Sequence, residues 1–498
     1  MLRVFIPPML DPFTNDFPRA DIHELITPDI LHQLIKGTFK DHLVDWVVEY
    51  LASKHGKARS DAILAQIDRR IGAVPLFTGL RRFPEGHGFK QWTGDDSKAL
   101  MKVYLPAIDG LIPRDMVRAI RAFLDFCYLA RRDVHTPTSL AQLQEALGRF
   151  HRYRAAFRDA GIHIDSLPRQ HSLDHYFLAI MDFGALNGIC SSITESKHIK
   201  AVKEPYRLSN RFKPLRQMLL TNQRRDKLAA CRVDFESRGL LPKSSKEPKK
   251  PPKKPPPIHL EDGSVDGPRV ADYVMLATRS RRQHHHQPVS LPDGSPRMTF
   301  HHLLQLFLQD RLKSSHMLYG LRELPDFDGV ISIHYSAAAT FYAPSDPSGI
   351  GGMHREHIRA NPCWRGTGGR FDCVLIKPLL VEDDSPRPPW EVARVFELFS
   401  FQHLGEQYQC ALVHWFDWVG DSPDEDTGMW VIHKRRDQDD SLAIISVDRI
   451  LRAAHLIPVF GEREVNLDIT ETNSLDSYRL FYLNKYADHH AFELLHSG

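Results

Sequence analysis

Residues 243–257, KSSKEPKKPPKKPPP, hold six lysines and six prolines in fifteen positions. Proline fixes φ and removes the amide donor, so such a run neither continues a helix nor enters the middle of a sheet. Its charge leaves nothing to bury in a core. The run therefore predicts an extended, polyproline-like tether. It divides the chain into residues 1–242, a linker at 243–258, and residues 259–498. The lysines read as a nuclear localisation signal or, equally, as a plain solubilising linker.

The hydrophobic pattern changes across this boundary. Before it, Lys98–Ile108, Arg114–Arg131 and Ser139–Phe157 carry helical spacing. In the second, Val117, Ile120, Phe123, Leu124, Cys127 and Tyr128 fall on one face, and Pro113 is placed to open the helix at its first position. Lys40–Ile71 predicts two more helices, split near His55-Gly56. Residues from about 30 to 185 thus read as a helical block. After the tether, Asp372–Val381, Val392–Phe401, Gln409–Val419, Met429–Lys434, Leu442–Val447 and Tyr478–Leu483 are short and rich in Val, Ile, Phe, Tyr and Trp. Gly, Pro and Asp clusters separate them, which predicts strands of a small barrel or sandwich. Residues 258–370 give only a helix near Phe300–Lys313 and Gly- and Pro-rich loops such as Pro344–Gly352. The fold class expected is α+β and multidomain, a largely α-helical domain followed by a strand-rich one.

Composition excludes some classes. Of 498 residues, 42% are hydrophobic and 26% charged, the balance of a globular chain with room for a core. Mean hydropathy is −0.36. No apolar stretch reaches the roughly 18 residues of a membrane span, so no membrane partner is expected. MLRVFIPPMLDPF is too Pro-broken for a secretory signal, which predicts an intracellular protein. A net charge of +3 decides nothing about partners. The six cysteines form no CxxC pair and read as reduced thiols rather than zinc ligands. His284-His285-His286 lies among Arg, Gln and Pro and reads as a solvated loop. No GxxxxGK[ST], GxSxG or HExxH motif is present.

Two local groupings remain. In ADIHELITPDILHQLIKGTFKDHL, Thr27 as cap and Pro28 at the first position predict a helix. Asp29 and His32 then share a face; the plain reading is a helix-start carboxylate and an ordinary histidine. In SSITESKH, Glu195 and His198 are also three apart. A carboxylate beside basic residues can ligate a divalent cation near a phosphate, or form a surface ion pair. The strings Lys197–Arg216 and Arg224–Arg232 around it are basic.

FPRADIHELITPDILHQLIKGTFKDHL resembles the signature of Plavaka transposases, a fungal branch related to the CACTA elements. GDDSKALMKVYLPAI (94–108), LPRQHSLDHY (167–176) and GICSSITESKHIKAVKEPYR (188–207) resemble further blocks in the same order. CALVHWFDW, DTGMWVI and LFYLNKYADHHAFE are similar to the C-terminal region of the same proteins. The resemblance implies an RNase H-like fold interrupted by a helical insertion, with Asp, Asp and Glu holding two Mg²⁺ ions for phosphoryl transfer. It implies that Asp29 and His32 form a D-x-x-H motif and that Glu195 is the third acid. Lys197, Lys200, Lys203 and Arg207 lie where such a transposase would hold the DNA backbone, and read equally as a solvated charged helix face; a nuclear protein is expected.

The family's two catalytic Asp residues and a Cys-Pro-x-Cys element precede the D-x-x-H helix, whereas this chain begins 28 residues before Asp29. Asp11, Asp16 and Asp21 lie in a Pro-rich stretch unlike a central strand. The expectation is therefore the C-terminal part of a cut-and-paste transposase without two of its acids. It would be inactive, with Mg²⁺ held by Glu195 only if the missing Asp residues were supplied. The alternative is a transposon-derived protein kept by its host for DNA or chromatin contact. DNA binding is expected to be weak and non-specific.

Overall fold

The computed structural model describes residues 13–17, 27–89, 92–240, 272–283, 300–314, 324–346, 352–366, 368–379, 386–435 and 441–496. The tether, His284–His286, Asp11 and Asp21 lie outside the described residues. The chain forms two compact units, Met1–Asn187 with Val270–Gly498, and Gly188–Arg269. The helical block and the strand-rich region thus share the first unit.

The helices of that unit begin where capping chemistry puts them. Helix α1 (Ile30–Val44) is wound as a π-helix and α2 (Asp45–Gly72) follows directly. The cap of α1 is Asp29 rather than Thr27, and Pro28 lies before the helix, not in it. Aspartate accepts the His32 N–H at 2.8 Å, and Gln33 Oε1 accepts the Asp29 N–H at 2.9 Å. The two bonds satisfy donors at the helix start reciprocally. Gly37 in α1 lets Arg169 approach the backbone, where a Cβ would collide with the Arg169 side chain and the His32 carbonyl. Helix α2 breaks at Gly56 (φ 70°, ψ 168°), the split expected near His55-Gly56.

Helix α3 (Gly94–Ile108) carries a Thr93–Asp96 capping box and starts four residues before Lys98. Helix α4 (Arg114–Ala130) has Pro113 as its cap, one position earlier than expected. Its burial is broader than one face, because every residue from Ala122 to Ala130 is buried. The reason is that α4 is covered from more than one side. Phe123 meets Phe150 of α5 (Pro137–Tyr153), with centroids 5.5 Å apart, while Tyr128 meets Tyr486 and Phe492 from the C-terminal end. Short helices α6 (Ala155–Asp159), α7 (Pro168–His171) and α8 (Tyr176–Phe183) complete the block.

The strands expected from the sequence are present. One sheet is β1 (Tyr273–Leu276), β4 (Ser336–Tyr342), β5 (Met353–Asn361) and β6 (Arg370–Phe371), in that order. The larger sheet runs β12 (Ile450–Ala454), β7 (Cys373–Ile376), β8 (Glu391–His403), β9 (Glu406–Trp418), β10 (Trp430–Lys434), β14 (Leu480–Leu483), β13 (Leu456–Pro458). Off this path, β11 (Leu442–Ser446) pairs with β9, and β2 (Arg281–Gln283) reaches β8 through β3 (Ile331–His334). The first and last strands of the path, β12 and β13, are one stretch of chain interrupted only at His455. The sheet is consequently a nearly closed barrel.

The two sheets bury one core between them. Ala337, Ala339 and Phe341 of β4 meet Ile358 of β5, Val395 of β8 and Val413 of β9. Small residues on β4 let the sheets approach closely, and burial of this apolar surface is the main stabilising term. On the other side of the large sheet, α12 (Phe300–Ser314) covers Phe399 and Phe401. Helices α13 (Ser474–Ser477) and α14 (His489–Leu495) close the end near β14.

Candidate nucleic-acid interface

The second unit is built on a continuous helical run. Helix α9 (Ser192–His198), a π-turn at Ile199–Lys203 and α10 (Glu204–Leu208) follow without interruption. Helix α11 (Leu215–Ser237) folds back onto them. Gln217 Nε2 donates to Asn210 Oδ1 (2.6 Å) and Phe212 O (3.1 Å), which fixes the turn. Asn222 Nδ2 donates to Ala201 O at 2.8 Å, and Arg225 Nη1 donates to Lys200 O (3.0 Å) and Glu204 Oε2 (2.9 Å). These bonds hold α11 against the run with polar contacts, and none of α11's described residues is buried.

Lys197, Lys200, Lys203 and Arg207 are all exposed. Spaced three, three and four apart, they fall on one side of the run. Glu204, the acid among them, is neutralised by Arg225. Arg216, Arg224 and Arg232 of α11 are also exposed. The result is a local positive surface on a chain whose net charge is only +3.

Glu195 stands on α9 and is exposed, with its backbone N–H bonded to Ser191 O at 2.8 Å. Lys197, His198 and Lys200 follow it, so the run beside it is cationic. In the first unit, Asp29 and His32 do come together. Asp29 Oδ2 accepts the His32 backbone N–H at 2.8 Å and lies 2.6 Å from its ring Nδ1. That geometry closes the start of α1 and fixes the imidazole. Asp16 belongs to a single 3-10 turn, Phe13–Asp16. Among the described residues no three His, Cys, Asp or Glu side chains converge as a metal ion would require.

Further basic residues lie in the stretch 258–370, where the sequence pattern gives only a helix and loops. Strand β5 alternates Arg355, His357 and Arg359 outward with Glu356, Ile358 and Ala360 inward. The period-two alternation in HREHIRA was the available signal.

The fold is α+β, with a helical block, a nearly closed barrel and a basic helical hairpin, and no described helix is long and apolar enough to cross a membrane. Residues 3–47 match the family of the Plavaka transposase. The described part of that match holds Asp29, His32 and α1. No curated protein matches the chain, and no solved structure does.

Proposed function

We propose that this chain contacts DNA in the nucleus as part of a transposase, through Lys197, Lys200, Lys203 and Arg207, and does not itself cut or join strands. The observation that carries the reading is the exposed, one-sided row of four cations on a helical run, in a chain whose residues 3–47 match the Plavaka transposase. Lysine and arginine along such a row neutralise phosphates and release counterions without reading bases. Binding is therefore weak, non-specific and steeply salt-dependent. Two-metal chemistry needs hard carboxylate oxygens brought together. Glu195 instead stands exposed beside lysines, and Asp29 is spent on capping α1.

Titration of a labelled duplex at about 50 and 200 mM salt tests the binding. The affinity should fall steeply between the two. The triple variant K200E/K203E/R207E should lose at least tenfold at the lower salt. Unchanged affinity in that variant would move the contact elsewhere on the chain. Mg²⁺- or Mn²⁺-dependent nicking that Glu195→Ala abolishes would overturn the non-cleaving half of the reading.

A further inference from the structure

The outer face of the four-stranded sheet has a composition that a solvated sheet face does not need. The register places Tyr273 of β1 beside Thr340 of β4, and Thr340 beside Arg355 of β5. One pair along, Met275, Ala338 and His357 are aligned, followed by Ser336 and Arg359. These positions alternate with the core residues Ala337, Ala339 and Ile358, so they share the side away from the core between the two sheets. The middle of this face is floored by small residues, while rings and guanidinium groups stand around it. Tyr273 is 51% exposed and Tyr342 is 46% exposed.

A cluster of arginines continues the face at one end. Arg359, Arg365 and Arg370 place their guanidinium carbons 4.9, 5.3 and 5.2 Å from the centre of the Trp364 ring. Among the described residues, one carboxylate serves the group. Asp372 pairs with Arg370 at 2.7 Å and accepts the Arg359 backbone N–H at 2.9 Å. Among the described residues, no carboxylate lies within ion-pair distance of Arg355, Arg359 or Arg365. Burial and the neighbouring Arg370 both push the Arg359 pKa down. Three like charges around one ring with one counter-charge leave a positive excess, which an anion relieves.

We propose that this face binds a single-stranded nucleic acid, its phosphates on Arg355, Arg359 and Arg365 and its bases against Tyr273 and Tyr342. Arg355 and Arg359 stand four residues apart on β5, about 13 Å, with His357 between them, so the cations form a track rather than a single pocket. A track of cations flanked by open rings suits an unpaired strand, whose bases have free faces to stack. A duplex hides those faces. These residues belong to the first unit and Lys197–Arg207 to the second, and the proposal goes beyond the duplex contact assigned there.

The test uses the full chain and labelled oligo(dT). R355E and R365E should each weaken oligo(dT) binding by on the order of tenfold, and Tyr342→Ala by a similar factor through lost stacking. An abasic strand of equal length should bind more weakly than oligo(dT), and Tyr342→Ala should leave its affinity unchanged. K200E/K203E/R207E should weaken duplex binding by a larger factor than oligo(dT) binding, and R355E the reverse, which separates this proposal from the previous one. Equal affinity for the abasic strand or for inorganic polyphosphate would reduce the face to a general anion site and overturn the proposal. So would full oligo(dT) affinity in R355E and R365E proteins that keep the wild-type circular dichroism and Tm.

Discussion

Asn484 Nδ2 lies 3.0 Å from His455 Nδ1, at the point where the ring of strands returns on itself. The same amide donates to Lys102 O at 2.9 Å, and Asn484 Oδ1 accepts the Tyr486 N–H at 2.9 Å. The other ring nitrogen of His455 is 3.2 Å from Pro75 O, to which it donates. His455 is thus a neutral imidazole, with Nδ1 accepting and Nε2 donating. It ties the junction of β12 and β13 to α3 and to the loop after α2.

That arrangement has a pH consequence. Burial holds the His455 pKa down to about 4 from the usual 6.5. Between those values the unfolded chain binds a proton that the folded chain refuses. The contribution of His455 is therefore fully present above pH 6.5 and is lost as pH falls toward 4, up to about 3 kcal/mol over the window. His455→Gln should cost stability at pH 7.5 and cost less at pH 5, by urea unfolding. A penalty that is constant or larger at pH 5 would show that His455 is protonated in the folded protein. Glu356, which burial pushes up to about 7, acts with the opposite sign between 4.5 and 7. The comparison between variant and wild type removes that background.

A second prediction concerns the ion pair between Lys485 Nζ and Asp125 Oδ1, 2.8 Å apart with both side chains buried. Burial alone would raise the Asp125 carboxyl; the positive charges of Lys485 and Arg121 and the Lys485 hydrogen bond overcome it and hold the carboxyl well below the usual carboxylate range. Tyr486 OH also donates to Asp125 Oδ1, at 2.7 Å. Lys485→Met should destabilise by about 3–5 kcal/mol, because it leaves a buried carboxylate short of its nearest cation. Asp125→Asn should cost a similar amount, and the double variant much less than the sum. Additive losses in a double-mutant cycle would mean that the two groups do not stabilise each other.

These two sites show what the sequence made legible. The strands around Val392–Phe401 and Gln409–Val419 were readable because their apolar residues run almost unbroken between turn signals. The helices of the first half were readable from their spacing, and the kink from Gly56. Burial on more than one side of α4 was not, since Asp125 sits among apolar residues and its partner Lys485 is 360 positions away. Period-3.6 reasoning identifies a face, not what covers the opposite one. Capping details slipped by one or two residues at Pro113 and Pro28, where neighbouring residues compete for the same role. For the candidate site, Lys197, Lys200, Lys203 and Arg207 were readable as a row. The outward arginines of β5 were not, because the strand carries His and Glu where strands more often carry Val or Ile.

The hairpin between β8 and β9 offers a local test. His403 pairs with Glu406, leaving Leu404 and Gly405 as a two-residue turn. Their φ angles are 51° and 85°, the left-handed pair such hairpins favour. Glycine adopts that region freely, whereas leucine is strained in it and, here, 71% exposed. Leu404→Asn should therefore stabilise by about 1 kcal/mol. A lowered Tm in Leu404→Asn would mean that the leucine makes contacts outweighing its strain.

The last prediction joins the tether to the packing. The lysines at 243–254 make the tether the expected first site of trypsin cleavage. Yet residues on either side of it are interlocked within one unit. Arg70 Nη1 donates to Asp109 O at 2.6 Å and its Nη2 to Gly461 O at 2.5 Å; Tyr128 OH donates to Tyr486 O at 2.5 Å, and Tyr482 OH to Asp109 Oδ2 at 2.8 Å. Buried aromatic contacts such as Tyr128 with Phe492 lie beside them. Limited trypsin should therefore yield two pieces on a denaturing gel that still elute together on size exclusion. Their thermal transition should stay single, because neither piece keeps the buried surface of α4 covered alone. Fragments that separate without denaturant would show that the helical block and the barrel fold independently. Resistance of residues 243–258 to trypsin would show that the lysine- and proline-rich run is packed rather than extended.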